Sequence, residues 1–263
     1  MKKLTLSLFA MAASCAFAAE PPVHIDLGKF PAKTVEDVVV PVPSEVFGVL
    51  DKLQSPNWHE ILRPVKSNPV GARPQIALLL GDVIAEGFIA VEAKDSEEVK
   101  KIGRAVMNLA KAINVQKSVI ARSNSIIESA DKKDWQKVRT ELDGALQDVK
   151  HAMTELRDDQ LAQLVSLGGW LRGTEALTTI VGKNFTKDGA ELLHQPKLLD
   201  YFDRRLNEMD PRLKNNELVA KIQKGLLEIK PLITEKGDIP QKSVERIRDI
   251  TADLIKSITT KEP

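Results

Sequence analysis

Residues 78–93 read LLLGDVIAEGFIAVEA, a stretch that is apolar almost throughout but carries two carboxylates in its middle. Asp82 and Glu86 are four residues apart, so a helix places them one turn apart on the same face. A helix that is apolar nearly all round lies in the interior of a protein rather than at its surface. The stretch therefore predicts a central helix with two acids that need a partner.

A second segment, residues 161–182, is also apolar nearly all round, and it carries Gly169 and Gly173 one helical turn apart. The first segment has Gly81 and Ala85 at the same spacing. Glycine inside a helix costs about 1 kcal/mol relative to alanine, so several glycines together need a structural reason. Close approach of the two backbones is the simplest one, and we expect these helices to pack directly against each other.

The charges on the two central helices predict how they are held together. A carboxylate removed from water is costly unless it is paired. Arg172 lies beside the glycines of the second helix, and an arginine stays charged in a core and can bond a carboxylate in bidentate fashion. We therefore expect an ion-pair cluster of Asp82, Glu86 and Arg172. The alternatives are a solvated stripe of charges along one helix edge and a ligand or metal site. The charged residues also argue that neither helix spans a membrane.

The chain from Ser44 onward is predicted to be helical. Apolar residues recur at intervals of three and four, as in Ile102, Val106, Leu109 and Ile113. Period-two alternation is not sustained anywhere in this part, so strands are not expected. Helix starts are marked by capping-box patterns at 57–60, 95–98 and 188–191. The fold class is therefore all-α, a multi-helix bundle of about eight to ten helices.

The first 19 residues, MKKLTLSLFAMAASCAFAA, have the pattern of a signal peptide. Two lysines precede an apolar stretch of about ten residues, too short to span a membrane, and an A-x-A motif follows. Cleavage near Ala18 or Ala19 predicts a periplasmic or secreted protein. Cys15 offers an alternative, since its lipidation would make the protein a membrane-tethered lipoprotein.

The predicted mature chain has no cysteine, because Cys15 is the only one in the sequence. This excludes disulfides, thiolate metal sites, thiol nucleophiles and covalently attached c-type haem. Without Lys2 and Lys3 the chain has 36 basic and 37 acidic residues, and no run of lysine and arginine forms a basic face. Nucleic-acid binding is therefore not expected.

Three regions follow the signal peptide. Residues 20–43 contain five prolines and no helical period, which predicts an extended arm. Within the arm, Val38–Val40 could add a short strand or lie in a groove. Residues 44–183 are expected to form the helical core. Residues 184–263 are expected to form a C-terminal helical subdomain that is packed on the core or continuous with it.

Metal and haem sites can be tested against the spacing of their ligands. A di-iron bundle takes one Glu from each of two helices and a Glu-x-x-His from each of two others. The chain offers Glu86, Glu175, the pair Glu191 and His194, and the looser pair Asp148 and His151. Only 16 positions separate Glu175 from Glu191, too few for two full antiparallel helices. His151 as an axial haem ligand lies on a strongly charged helix, which favours a solvated side chain.

The sequence contains no nucleophile-elbow, zincin or phosphate-loop motif. The first functional prediction is an exported, non-catalytic helical protein of the bacterial cell envelope, without a cofactor, with an interaction, scaffold or accessory role for a protein partner. The alternative is a periplasmic carrier or sensor that binds a small apolar ligand or haem between the two central helices. Trp170, Gly169 and Gly173 would then line the pocket. A metal-dependent helical-bundle enzyme is the third hypothesis.

Overall fold

The structure, a computed structural model, describes residues 33–35, 38–40, 47–49, 52, 56–234 and 237–260. The predicted signal peptide, its cleavage site and Cys15 lie outside the described residues, as does most of the predicted arm. Two short strands of the arm, β1 (Lys33–Val35) and β2 (Val38–Val40), are described and pair antiparallel, with Lys33 opposite Val40. The valines therefore form a strand, one of the two outcomes left open by the sequence.

The remainder is helical, which confirms the all-α prediction. A 3-10 helix, Trp58–Glu60, precedes ten α-helices in the part of the chain that the structure describes. These are α1 (Arg73–Glu92), α2 (Ser96–Ala112), α3 (Gln116–Asp131), α4 (Trp135–Glu155), α5 (Asp159–Lys183), α6 (Lys187–Glu191), α7 (Pro196–Asn207), α8 (Pro211–Lys214), α9 (Glu217–Thr234) and α10 (Gln241–Thr259).

Tight turns link the first five helices. Each of α1 to α4 is followed by a non-glycine residue with positive φ, at Lys94, Asn114, Lys133 and Arg157. A left-handed residue just after a helix ends it and redirects the chain. Because each connection has only three residues, consecutive helices lie beside each other: α2 contacts α1 and α3, and α4 contacts α3 and α5.

Side-chain caps mark several helix starts. Asp95 accepts a hydrogen bond from the backbone N–H of Glu98, as the capping pattern predicts. The capping pattern predicted at 188–191 is wrong in its register. Thr186 is the N-cap of α6 and accepts from the Gly189 N–H, while Asp188 lies in the first turn. Threonine and aspartate both cap well, so spacing alone does not choose between them.

Helices α1 and α5 pack directly against each other at the centre of the bundle. A Cβ atom added to Gly81 would lie 1.9 Å from the carbonyl oxygen of Val165, and one added to Gly168 would lie 2.0 Å from that of Leu78. These glycines are therefore required by the contact. Gly173 differs, because no heavy atom lies within 4 Å of its added Cβ atom. It does not contribute to the close contact.

Helix α1 is long and apolar enough to cross a membrane by length and composition. All of its 18-residue apolar window is buried inside the protein, as in the core helix of a soluble protein. Its start is also tied to the end of α10, because the Gln75 side-chain amide donates to the carbonyl oxygens of Ser257, Ile258 and Thr260. Helix α10 packs against α5 as well, which joins the C-terminal helices to the central pair.

Candidate functional site

Arg172 of α5 lies at the centre of a buried ion cluster and is only 1 % exposed. Its Nε donates to Glu86 Oε2 at 2.6 Å, and its Nη2 donates to the carbonyl oxygen of Ile61 at 2.6 Å. Its Nη1 donates to Glu175, one turn further along α5. Every nitrogen of the guanidinium therefore has an acceptor, which offsets the cost of removing its charge from water.

The same cluster holds a segment that precedes α1. We call residues 58–63 the strap, which comprises the 3-10 helix and the three residues after it. The backbone N–H of Arg63 donates to Glu86 Oε1 at 2.6 Å. The Arg63 guanidinium pairs with Glu175. Together with the Ile61 carbonyl, these contacts fix the end of the strap to both central helices.

Asp82 is placed differently from the prediction. The sequence grouped it with Glu86 and Arg172, and the structure brings Glu86 to Arg172 at 2.6 Å. Among the described residues, however, no hydrogen bond or ion pair joins Asp82 to Arg172, and the buried Oδ1 of Asp82 has no partner. Glu175 takes the place assigned to Asp82, because it lies three residues from Arg172 on the same helix.

The environment of Asp82 favours its protonated form. Burial raises the pKa of Asp82 to about 7. Arg172 opposes this rise, Glu86 adds to it, and the smaller effects of Arg63 and Glu175 also oppose each other. The cluster has three carboxyl groups and two guanidinium groups, so a proton on Asp82 makes it electrically neutral.

Other residues of the two central helices line a cavity of about 530 Å³. Gly169 and Gly173 line it together with Gly81 and Ala85 of α1, and Trp170 forms part of its wall. The structure thus places all three residues that the sequence grouped as pocket lining on one cavity. For Gly173 the physical reason is that no heavy atom lies within 4 Å of an added Cβ atom, so this glycine leaves space.

Aromatic side chains form much of the remaining wall. Phe88 of α1, Phe202 of α7 and Phe47 line the cavity, and the rings of Trp170 and Phe202 are 5.7 Å apart. Phe47 also packs edge-on against Trp58 of the strap, with ring centroids 5.4 Å apart. The lining is therefore mainly apolar, and the strap contacts a residue of the cavity wall.

The side of the cavity near α3 and α4 is charged, but its charges are paired. Arg122 donates to Asp148 Oδ2 at 2.8 Å and to Glu141 Oε2 at 3.0 Å. These two carboxylates raise the pKa of Arg122. The guanidinium lies across Gly144, whose added Cβ atom would be 2.5 Å from Arg122 Cζ. This network gives the apolar cavity a polar margin.

The residues that could hold a cofactor lie elsewhere. The described residues that line the cavity include no histidine, methionine, cysteine or tyrosine, so none of them offers an axial ligand for haem. His151 is 76 % exposed on α4, beside Glu155. Within the described ranges, no group of three or more His, Cys, Asp or Glu side chains could hold a metal ion. Glu86 and Glu175, the lone acids of the di-iron inventory, share Arg172.

Sequence reasoning missed three members of the cluster. The i,i+3 spacing of Glu175 from Arg172 was a usable signal. Arg63 and the Ile61 carbonyl gave none, because the chain after the 3-10 helix has no periodic pattern.

No family model matches the chain, and comparisons with curated proteins and with solved structures found no similar protein.

Proposed function

We propose that this protein is a non-catalytic binding protein of the bacterial cell envelope that takes up a small, mainly apolar ligand in a cavity lined by α1, α4, α5 and α7. The observation that carries the proposal is the cavity of about 530 Å³ with its apolar and aromatic wall. Ligand pockets in proteins typically enclose about 300–1,000 Å³ and combine apolar walls with a few polar groups. The cavity has this size and this composition.

The packing around the cavity also supports ligand binding. Protein interiors are close-packed, and the atoms around a void lose their dispersion contacts. Here Phe88 and Phe202 are almost fully buried, yet both contribute to the wall of the cavity. Gly173 faces the space without a neighbour within reach of an added Cβ atom. A ligand would supply the contacts that the protein itself leaves unmade.

The polar groups around the cavity support binding rather than catalysis. Arg122 and Asp148 neutralise each other, and the buried cluster uses all nitrogens of Arg172 for structural contacts. Neither arrangement presents a nucleophile activated by a base, which covalent catalysis requires. Export rests on the signal-peptide pattern of residues 1–19. The scaffold role for a protein partner stays a prediction.

Binding of the neutral fluorescent probe N-phenyl-1-naphthylamine tests the proposal. We expect saturable binding to the wild-type protein, and at least about tenfold weaker binding to Gly173→Phe, because the new ring would occupy the space that Gly173 leaves open. Lys117→Phe is the matched control, since it adds the same ring to an exposed position on α3.

Two results would overturn the proposal. One is the absence of saturable probe binding to the wild-type protein together with no small molecule in extracts of protein purified from its native host. The other is equal binding by Gly173→Phe and by Lys117→Phe. Far-ultraviolet circular dichroism of each variant shows whether the helical fold is retained, so that loss of binding is not mistaken for unfolding.

A further inference from the structure

The strap connects the ion cluster to the cavity. At one end, the Ile61 carbonyl accepts from Arg172, and the Arg63 N–H donates to Glu86. At the other end, Trp58 is 4 % exposed and packs edge-on against Phe47, which lines the cavity. A movement of the strap therefore changes the support of the cavity wall.

One group in the cluster is not used by any of these contacts. Asp82 lies one helical turn before Glu86, is 8 % exposed, and has a buried oxygen without a hydrogen-bond partner. The charged groups that act on it come from three elements: Glu86 on α1, Arg172 and Glu175 on α5, and Arg63 on the strap. Asp82 is thus surrounded by the groups that hold the strap in place.

We propose that the strap is a pH-sensitive latch on the cavity, closed while Asp82 is protonated and released when Asp82 ionises. The expected effect on the ligand rests on the proposed binding function. The expected effect on the strap rests on the ion cluster alone. The midpoint follows from burial, which raises the pKa of Asp82 to about 7.

The release step follows from competition for Arg172. An ionised Asp82 adds a third carboxylate to a cluster with only two guanidinium groups. Hydrogen bonds from arginine to a carboxylate are stronger than those to a neutral carbonyl. The Ile61 carbonyl is the one neutral acceptor of Arg172, so it is the partner that Arg172 gives up most readily. Loss of that bond leaves this end of the strap held only by the two contacts of Arg63, with Glu86 and Glu175.

Hydrogen exchange and probe binding, measured together near pH 5.5 and near pH 8.5, test the latch. For the wild-type protein we expect strap amides, corrected for intrinsic exchange, to lose about tenfold or more of their protection at the higher pH, since one linked proton shifts an equilibrium up to tenfold per pH unit. The Kd for N-phenyl-1-naphthylamine should change over the same interval, and this probe is neutral throughout.

Asp82→Asn should keep strong strap protection and one Kd at both pH values, because an amide does not ionise. Asp131→Asn is the control, since Asp131 is 58 % exposed and pairs with Lys100 away from the cluster. It should respond as the wild-type protein does. Amides of α10 serve as an internal reference for global opening, and their protection should not follow the strap.

The outcomes separate the two proposals. The latch is overturned if the strap amides are equally protected from hydrogen exchange at both pH values. It is also overturned if their protection changes with pH in Asp82→Asn as much as in the wild-type protein, even if the probe binds. Probe binding that is unaffected by pH while the strap responds overturns the connection to the cavity. Absence of probe binding at every pH overturns the proposed function, and the strap measurement still decides whether Asp82 controls the strap.

Discussion

Replacing Arg172 with methionine is the most direct perturbation of the ion cluster. Methionine is unbranched and matches the aliphatic part of the arginine side chain, so the packing of that part is kept while the charge and its hydrogen bonds are removed. Glu86 would keep only the backbone N–H of Arg63, Glu175 would keep only the Arg63 guanidinium, and the Ile61 carbonyl would lose its donor. The acids would remain buried with too little compensation.

The expected loss of stability is large. Removing one partner of a buried ion pair typically costs about 3 to 5 kcal/mol, because the remaining charge is left buried and unpaired. Arg172 is 1 % exposed and Glu86 is 3 % exposed, so water cannot replace the lost bonds without a rearrangement. For a domain of this size the loss corresponds to a decrease in Tm of roughly 6 to 20 °C.

Urea unfolding followed by circular dichroism at neutral pH measures the effect. Lys183→Met is the matched control, since Lys183 pairs with Glu60 at 2.6 Å on the surface, and exposed pairs contribute little. We expect its unfolding curve to lie close to that of the wild-type protein. The double variant Arg172→Met with Glu86→Met should recover part of the loss, because it removes the charge left unpaired.

The reasoning would be refuted by a loss below about 1 kcal/mol for Arg172→Met, the range of an exposed pair. It would also be refuted if the double variant were less stable than Arg172→Met, because the lost stability would then come from packing and not from a buried unpaired charge.

Three further predictions concern the central helices. Burial raises the pKa of Asp82 to about 7, so the unfolded chain loses this proton at a lower pH than the folded protein, and wild-type stability should fall between about pH 4 and pH 7. In urea titrations, Asp82→Asn should therefore be more stable than the wild-type protein by about 3 to 4 kcal/mol near pH 8 and by little near pH 4. Gly81→Ala should lower the stability by about 1 to 3 kcal/mol or more in thermal unfolding, because its Cβ atom would overlap the Val165 carbonyl. Gly173→Ala should instead be neutral or stabilising by up to about 1 kcal/mol, because the added methyl group has space and alanine favours a helix over glycine. A loss of stability as large as that of Gly81→Ala would contradict the assignment of Gly173 to the cavity.

The sequence by itself determined the class of the fold and its centre. The two segments that become α1 and α5 are apolar nearly all round, which predicts a buried position, and their charged residues argue against a membrane span. The buried position of Glu86 also implied a cationic partner, because an unpaired carboxylate is too costly there. Arg172 was the cation at hand on the facing helix, and it lies 2.6 Å from Glu86.

Only the tertiary structure decided how the small residues and acids are used. Gly81, Gly168 and Gly173 look alike in sequence. The first two are required by backbone contact between α1 and α5, whereas Gly173 faces the cavity without such a contact. The choice of Glu175 over Asp82 likewise depends on which side chain lies within reach of Arg172. The i,i+3 spacing within α5 indicated that Glu175 could pair with Arg172. Which glycines contact the neighbouring backbone, and whether Asp82 also reaches Arg172, depend on how α5 lies against α1, and a local pattern does not specify that.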